Sequence, residues 1–198
     1  MRTATLDPAA PIRTARLILR PFEMSDLPAV HDLFGRDDVC RYLLWDPMNL
    51  DEARALLERR VRQTRIEAEG DAILLAAVDP ESGRMIGELM LRVTSSPNLQ
   101  GEVGWSLHPD FQGRGLATEG ASELLRIGFE ELGLHRIVAE ADSRNTGSIR
   151  VMEKLGMRRE ALFVEAELFK GEWAGDVIYA ILGSEWNARD MPSEAARP

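Results

Sequence analysis

Apolar and polar positions change period several times along the chain, and each change marks an element. "RLILRPF" (Arg16 to Phe22) alternates and is rich in aliphatics, which predicts a first strand stopped by Pro21. "SDLPAVHDLF" opens with a capping pair, Ser25 and Asp26, and then places Leu27, Val30 and Phe34 on one helix face. After a loop, "RYLLWDP", the stretch "NLDEARALLERRVRQTRIEAEG" reads as a long helix. Asn49 or Asp51 caps it, Ala53, Leu56, Leu57 and Val61 form its apolar stripe, and Gly70 stops it. The period then drops to two. "AILLAAVDPESGRMIGELMLRV" predicts two strands around a turn at "DPESGR", and "GEVGWSLHP" is a third consecutive strand. A helix follows from about Gly115 to Leu132, with Ala117, Ala121, Leu124, Leu125, Gly128 and Leu132 on its face. "HRIVAEA" is a strand and "TGSIRVMEKLG" a helix ending at Gly156. "MRREALFVEAELF" and "DVIYAIL" form a last hairpin turned at "GEW".

The sum is an α/β fold: a mixed, mostly antiparallel sheet of about six to seven strands flanked by about four helices. Residues 14–185 form a single domain, and segments 1–13 and 186–198 are expected to be flexible termini.

Composition narrows the function. The apolar run Ile73 to Val78 suits a buried strand and is far short of a membrane span. No signal-peptide core or lipidation motif is present, so a cytoplasmic protein with no membrane partner is expected. One cysteine, Cys40, and three scattered histidines (His31, His108, His135) offer no disulfide framework and no metal-site spacing. A net charge of −9 argues against nucleic acid as partner and fits a cationic substrate better.

The stretch with most chemistry is "DFQGRGLATEG" (Asp110 to Gly120), between a strand and a helix. A helix start exposes unpaired N–H groups and a partial positive charge, so anions settle there. Gly113 and Gly115 let the backbone curl with its N–H groups inward, and Arg114 adds a formal charge. A phosphate or pyrophosphate fits. So does a plain glycine turn. The dinucleotide fingerprint is excluded by Thr118 where a third glycine is required, and no Gly-Lys-Ser/Thr is present.

"QGRGLAT" (Gln112 to Thr118) resembles the acyl-CoA pyrophosphate loop of the GCN5-related N-acetyltransferases (GNAT), with Gln112, Gly115 and Ala117 filling the pattern. "ARLILRPFEMSD", "GEVGWSLHPDFQGRGLATEG" and "ADSRNTGSIRVMEKLGM" resemble, in order, segments of the subgroup that acetylates ribosomal-protein N-termini (RimJ/RimL-like). The resemblance covers about residues 14 to 183, with Met157 where the subgroup carries phenylalanine. It implies the GNAT fold, acetyl-CoA as co-substrate with no metal, and direct transfer to a primary amine, foremost a protein N-terminal α-amine. A small-molecule amine (an amino acid, polyamine or antibiotic) is the close alternative, and a non-catalytic acyl-CoA-binding module a further one. A homodimer is also a family expectation.

The resemblance distributes roles over this sequence. Ser106, Leu107, His108, Gln112, Gly113, Arg114, Gly115, Leu116, Ala117, Thr118, Asn145 and Ser148 are the expected cofactor-binding residues, with a backbone N–H around Ser106 to His108 for the oxyanion. Glu102 is the expected proton acceptor for the amine, and Trp45 an expected wall of the acceptor site. An α-amine is neutral in about one molecule in seven at pH 7, a lysine in about one in 2,500, so an α-amine needs only a modest base. Glu119 competes, but its place in a first helical turn explains it through the dipole. Many members carry a tyrosine acid where this chain has Met152; Ser148, one turn earlier, is the expected substitute. Trp105 stands at odd spacing from Glu102 and therefore faces the other side of the strand.

Overall fold

The wholly apolar run Ala72–Val78 forms β5, buried along its entire length between two layers of helix. Ile73, Leu75 and Ala77 point to one face of the sheet, Leu74 and Ala76 to the other, the strict alternation of a strand. The computed structural model describes residues 2–5 and 10–188. Its strands are β1 (Ala4–Thr5), β2 (Ile12–Arg13), β3 (Ile18–Pro21), β4 (Arg65–Ile66), β5, β6 (Met85–Ser95), β7 (Gln100–Leu107), β8 (Arg136–Asp142), β9 (Arg158–Phe169) and β10 (Glu172–Leu182). The helices are α1 (Leu27–Phe34), α2 (Asp37–Cys40), α3 (Leu50–Arg60), α4 (Leu116–Arg126), α5 (Thr146–Lys154) and α6 (Gly183–Asn187).

Eight strands form one sheet in the order β2-β3-β5-β6-β7-β8-β10-β9, while β1 pairs with β4 alone. Neighbours are antiparallel except β7 and β8, which run parallel. On one face Leu89, Leu91 and Val103 pack against Ala121, Leu124 and Leu125 of α4 and Met152 of α5. On the other, Leu74 and Ala76 pack against Val30, Leu33 and Phe34 of α1 and Ala53, Leu56 and Leu57 of α3.

The parallel pair is the irregular one. β7 and β8 match only at Gln100–Arg136, Gly101–Ile137 and Glu102–Val138. Beyond that β7 stays with β6 as far as Leu107, and β8 stays with β10 as far as Asp142. A gap opens between them in the middle of the sheet.

The structure exceeds the expected element count at its margins. The eighth strand, β2, and the separate β1 both come from the segment expected to fray; β1 is matched with Arg65 and Ile66. Helices α2 and α6 are short pieces that carry no apolar stripe to announce them. Helix α3 stops at Arg60, ten residues before Gly70. Its stripe has nothing to continue it, since Thr64 and Arg65 stand three and four residues after Val61. Ile66 instead becomes part of β4 and is fully buried. Asn49 is the cap: its Oδ1 accepts from the Asp51 and Glu52 amides at 3.0 and 3.1 Å, and Glu52 accepts the Asn49 N–H in return at 2.8 Å. Of the C-terminal segment, residues 189–198 lie outside the described residues.

Among the described residues no helix is long and apolar enough to cross a membrane, and no cluster of metal-ligating side chains occurs. One charge pair sits deep in the fold. Glu88 of β6 accepts two hydrogen bonds from Arg60 at the end of α3, at 2.7 and 3.0 Å. Burial pushes the Glu88 carboxyl up, against the pull of that guanidinium. Removing one partner strands the other charge. Arg60→Met is expected to lower unfolding stability by about 3 kcal/mol in urea denaturation, whereas Arg60→Met combined with Glu88→Met recovers most of the loss.

Candidate functional site

A cavity of about 480 Å³ lies against the free end of β7, where Trp105, Ser106 and Leu107 line it beyond the last position matched with β8. Its walls come from both layers. Leu116, Ala117 and Thr118 of α4 and Ser148, Arg150, Val151 and Lys154 of α5 line it from one side; Asp38, Val39, Tyr42 and Leu43, around α2, line it from the other. It meets both beside the stretch of β7 that β8 has left.

The loop that enters α4 is shaped by its glycines. A 3-10 turn at Pro109–Phe111 follows β7, and Gln112 folds back so that its Nε2 donates to the Leu107 carbonyl at 2.8 Å. Gly113 and Gly115 both have left-handed backbones, φ 74° and 81°. Around Gly113 a Cβ would meet nothing within 4 Å, so conformation rather than space calls for glycine there. Gly115 caps α4, and both glycines line the cavity. Unpaired N–H groups and the positive end of an 11-residue helix, with Arg150 and Lys154 on the same cavity's wall, make the cavity fit for an anionic group.

The last residues of β7 show which amides face the gap. His108 N–H bonds to the Ile86 carbonyl of β6 at 2.8 Å. Antiparallel ladders bond at alternate residues, so the Leu107 N–H turns away from β6 toward the side that β8 has left. Of the three amides expected around the oxyanion, Leu107 has the fitting direction.

Acidic side chains gather on the opposite face from α4. Glu102 stands at the last matched position before the strands part, and Arg92 donates to its Oε2. Glu140 lies two residues beyond Val138 on the same face of β8. Burial and the charges of Asp176, Glu102 and Glu167 raise its carboxyl above the ordinary range. Asp176 is raised by burial and by Asp142. Glu140 and Asp176 escaped the sequence reading; the alternate acidic positions of "AEAD", Glu140 and Asp142, are the signal that marks the first, and Asp176 opens the strand pattern "DVIYAIL".

Ser106, Leu107, Gln112, Gly113, Gly115, Leu116, Ala117, Thr118, Asn145 and Ser148 share the cavity wall. Four expected residues lie off it. His108 is buried, its ring between Asp32, at 3.3 Å, and Asp110, at 3.6 Å. Arg114 lies over the Phe111 ring at 5.3 Å. Trp45 packs edge-on against Phe34 at 5.9 Å, and Glu102 faces the other layer. Trp105 packs on the core and also lines the cavity, while Tyr42, Arg150 and Lys154 are wall residues that periodicity alone does not reveal. On α5, Gly147, Ser148, Val151 and Lys154 turn to the cavity and Met152 is fully buried in the core. Asn145 caps that helix, its Oδ1 accepting the Ser148 N–H at 3.1 Å. Cys40 is buried, its thiol donating to the Phe34 carbonyl at 3.2 Å and pushed up by burial, as an apolar filler would be.

A lysine holds the far wall. Lys170, at the tip of the β9–β10 hairpin, donates from Nζ to the carbonyls of Cys40 and Trp45, both at 2.8 Å, and pairs with Asp46 at 3.2 Å. Tyr42, within the segment so held, also donates to the Arg144 carbonyl at 3.4 Å.

The family model for the acetyltransferase (GNAT) domain matches residues 16–158, and the chain belongs to that family. It is an acetyl-CoA-dependent N-acetyltransferase. Among its relatives, the uncharacterized N-acetyltransferase YnaD of Bacillus subtilis is 34% identical over 176 residues, 89% of this chain and 99% of that one. The spermidine N(1)-acetyltransferase of Escherichia coli is 25% identical over 174 residues, 86% of this chain and 88% of that one. The crystal structure of a GNAT-family acetyltransferase from Bacillus anthracis superposes with a TM-score of 0.78 at 31% identity, covering 89% of this chain and all of the other. The crystal structure of a ribosomal-protein-S5-alanine acetyltransferase from Vibrio fischeri shares the fold, with a TM-score of 0.71 at 21% identity over 89% of this chain and 98% of that one.

Valine at Gly113 and Gly115 together forces side chains into left-handed backbone. The double variant is expected to lose at least about tenfold in acetyl-CoA affinity by titration calorimetry, since each such conformation costs about 1–2 kcal/mol outside glycine.

Proposed function

We propose that the chain transfers acetyl directly from acetyl-CoA to a primary amine, foremost a protein N-terminal α-amine, within a ternary complex. The parting of β7 and β8 at Glu102 carries this reading. It lets a donor seated among the α4 loop, α5 and the end of β7 present its thioester to an acceptor on the opposite face. There the amine nitrogen attacks the thioester carbonyl, the C–N bond forms, and the C–S bond breaks to release the coenzyme A thiolate. Glu102 takes the amine proton, directly or through water, on a carboxylate that Arg92 holds by one oxygen. The Leu107 N–H receives the oxyanion, and the Ser148 hydroxyl on the cavity wall donates toward the thiolate. A single carboxylate suffices for an α-amine, which is neutral in about one molecule in seven at pH 7.

A polyamine is the second reading, and the acidic face favours it. The charges of Asp176, Glu102 and Glu167 all bear on Glu140 there, and a second ammonium group on the acceptor suits them. The name of the E. coli relative points the same way.

Thiol release measured against a panel separates the readings. A peptide with a free N-terminus is expected to turn over, and the same peptide blocked at its α-amine but bearing an internal lysine is not. Glu102→Gln should lower kcat about a hundredfold or more, with acetyl-CoA affinity retained. Turnover confined to spermidine installs the second reading. Tight acetyl-CoA binding with no turnover on any amine identifies a binding module instead.

The same reading includes a second copy of the chain. Leu162, Phe163, Val164, Leu168 and Trp173 are exposed along the β9–β10 hairpin, whose outer strand ends the sheet. Light scattering is expected to give twice the 22.1 kDa chain mass, and Val164→Lys the single mass. A wild-type monomer at micromolar concentration excludes the pairing.

A further inference from the structure

The glycine loop is held from outside by a residue about a hundred positions away. Arg16, just before β3, donates from Nη1 to the Arg114 carbonyl at 2.7 Å. That carbonyl belongs to the peptide joining Arg114 to Gly115. In a trans peptide the C=O and N–H point in opposite directions. Fixing the carbonyl on the Arg16 side therefore aims the Gly115 N–H the other way, into the cavity that Gly115 lines.

Arg16 is itself fixed by Glu119, in the first turn of α4. The Arg16 backbone N–H donates to Oε1 at 2.7 Å, Nε donates to Oε2 at 2.8 Å, and Nη2 pairs with Oε2 at 2.7 Å. Thr14 adds its hydroxyl to Oε1 at 2.6 Å. Burial works to raise the Glu119 carboxyl, but the bonds from Thr14 and Arg16 outweigh it and leave it below the ordinary range. So engaged, Glu119 has no role as proton acceptor for an amine. It also places a carboxylate at the positive end of α4.

Stability alone gives little reason for the arrangement. The Arg16 side chain is 52% exposed, and ion pairs in such settings contribute about 0–1 kcal/mol. The segment it touches has a different need. With left-handed glycines on both sides of Arg114, the intervening peptides meet little steric resistance to flipping. A flip at Arg114–Gly115 presents a carbonyl oxygen where the anion sits, replacing attraction by repulsion.

We infer that Arg16, braced by Glu119, is a positioning residue for the acyl donor: it locks the Arg114–Gly115 peptide with its N–H toward the donor's diphosphate. This rests on the reading that the diphosphate lies in the glycine loop.

The test compares two donors, acetyl-CoA and S-acetylpantetheine, which has the same thioester arm and no diphosphate. Arg16→Met is expected to weaken acetyl-CoA binding about tenfold by calorimetry, the scale of a lost charge-assisted hydrogen bond. The KM for acetyl-CoA rises in step and kcat stays within about threefold, while kcat/KM with S-acetylpantetheine is unchanged. Arg16→Lys should rescue only in part, because an ammonium lacks the planar fork that reaches the carbonyl and both carboxylate oxygens together. Unchanged acetyl-CoA affinity in Arg16→Met overturns the inference. So does an equal loss with both donors, which marks a general structural role. A wild-type enzyme that uses both donors equally well removes the diphosphate reading beneath it.

Discussion

Two parallel strands that pair for three positions and then separate are the constraint on which the rest of the molecule depends. Each keeps its other neighbour, β7 with β6 and β8 with β10, so the sheet stays whole at its flanks and opens in its middle. Main-chain groups left beside such an opening require partners. The Leu107 carbonyl finds one in the Gln112 side chain, and the neighbouring amide looks into the gap. An extended arm carrying its own amides is the kind of ligand that completes an open edge. The helices, the loop and the acidic face are arranged around that opening.

Charge is divided between the two sides of the sheet. The chain as a whole is acidic, at −9, yet the cavity wall includes a helix N-terminus, Arg150 and Lys154. Carboxylates collect across the sheet at Glu102, Glu140 and Asp176. The cavity wall therefore attracts anions and the opposite face cations. The net figure describes only the second of these attractions.

Periodicity reaches far into this fold because most elements have an unambiguous apolar pattern. The run from Ala72 to Val78 and the α4 stripe of Ala121, Leu124 and Leu125 form the elements their spacing announces, and they fill the core. The misses have local causes. Residues 61–66 continue a helix by length but not by stripe, and α2 is too short to have a period. At the site, Gly113 and Gly115 are legible because a left-handed backbone leaves a mark in composition. Tyr42 and Lys170 are not, because their places depend on a hairpin tip meeting a loop more than a hundred residues away. Met152 shows the same limit from the other side. Its position in a motif suggested an empty chemical role, whereas its burial gives it a packing one.

The β9–β10 hairpin belongs to two surfaces at once. Its outer strand carries the exposed leucines, phenylalanine and valine, and its tip carries Lys170. Through that one ammonium the hairpin grips the segment that bears Tyr42 and Leu43. A shift of the outer strand therefore pulls, through Lys170, on a wall of the cavity. The hairpin and that wall are joined twice, because Glu172 beside the tip also pairs with Arg144, whose carbonyl accepts from Tyr42.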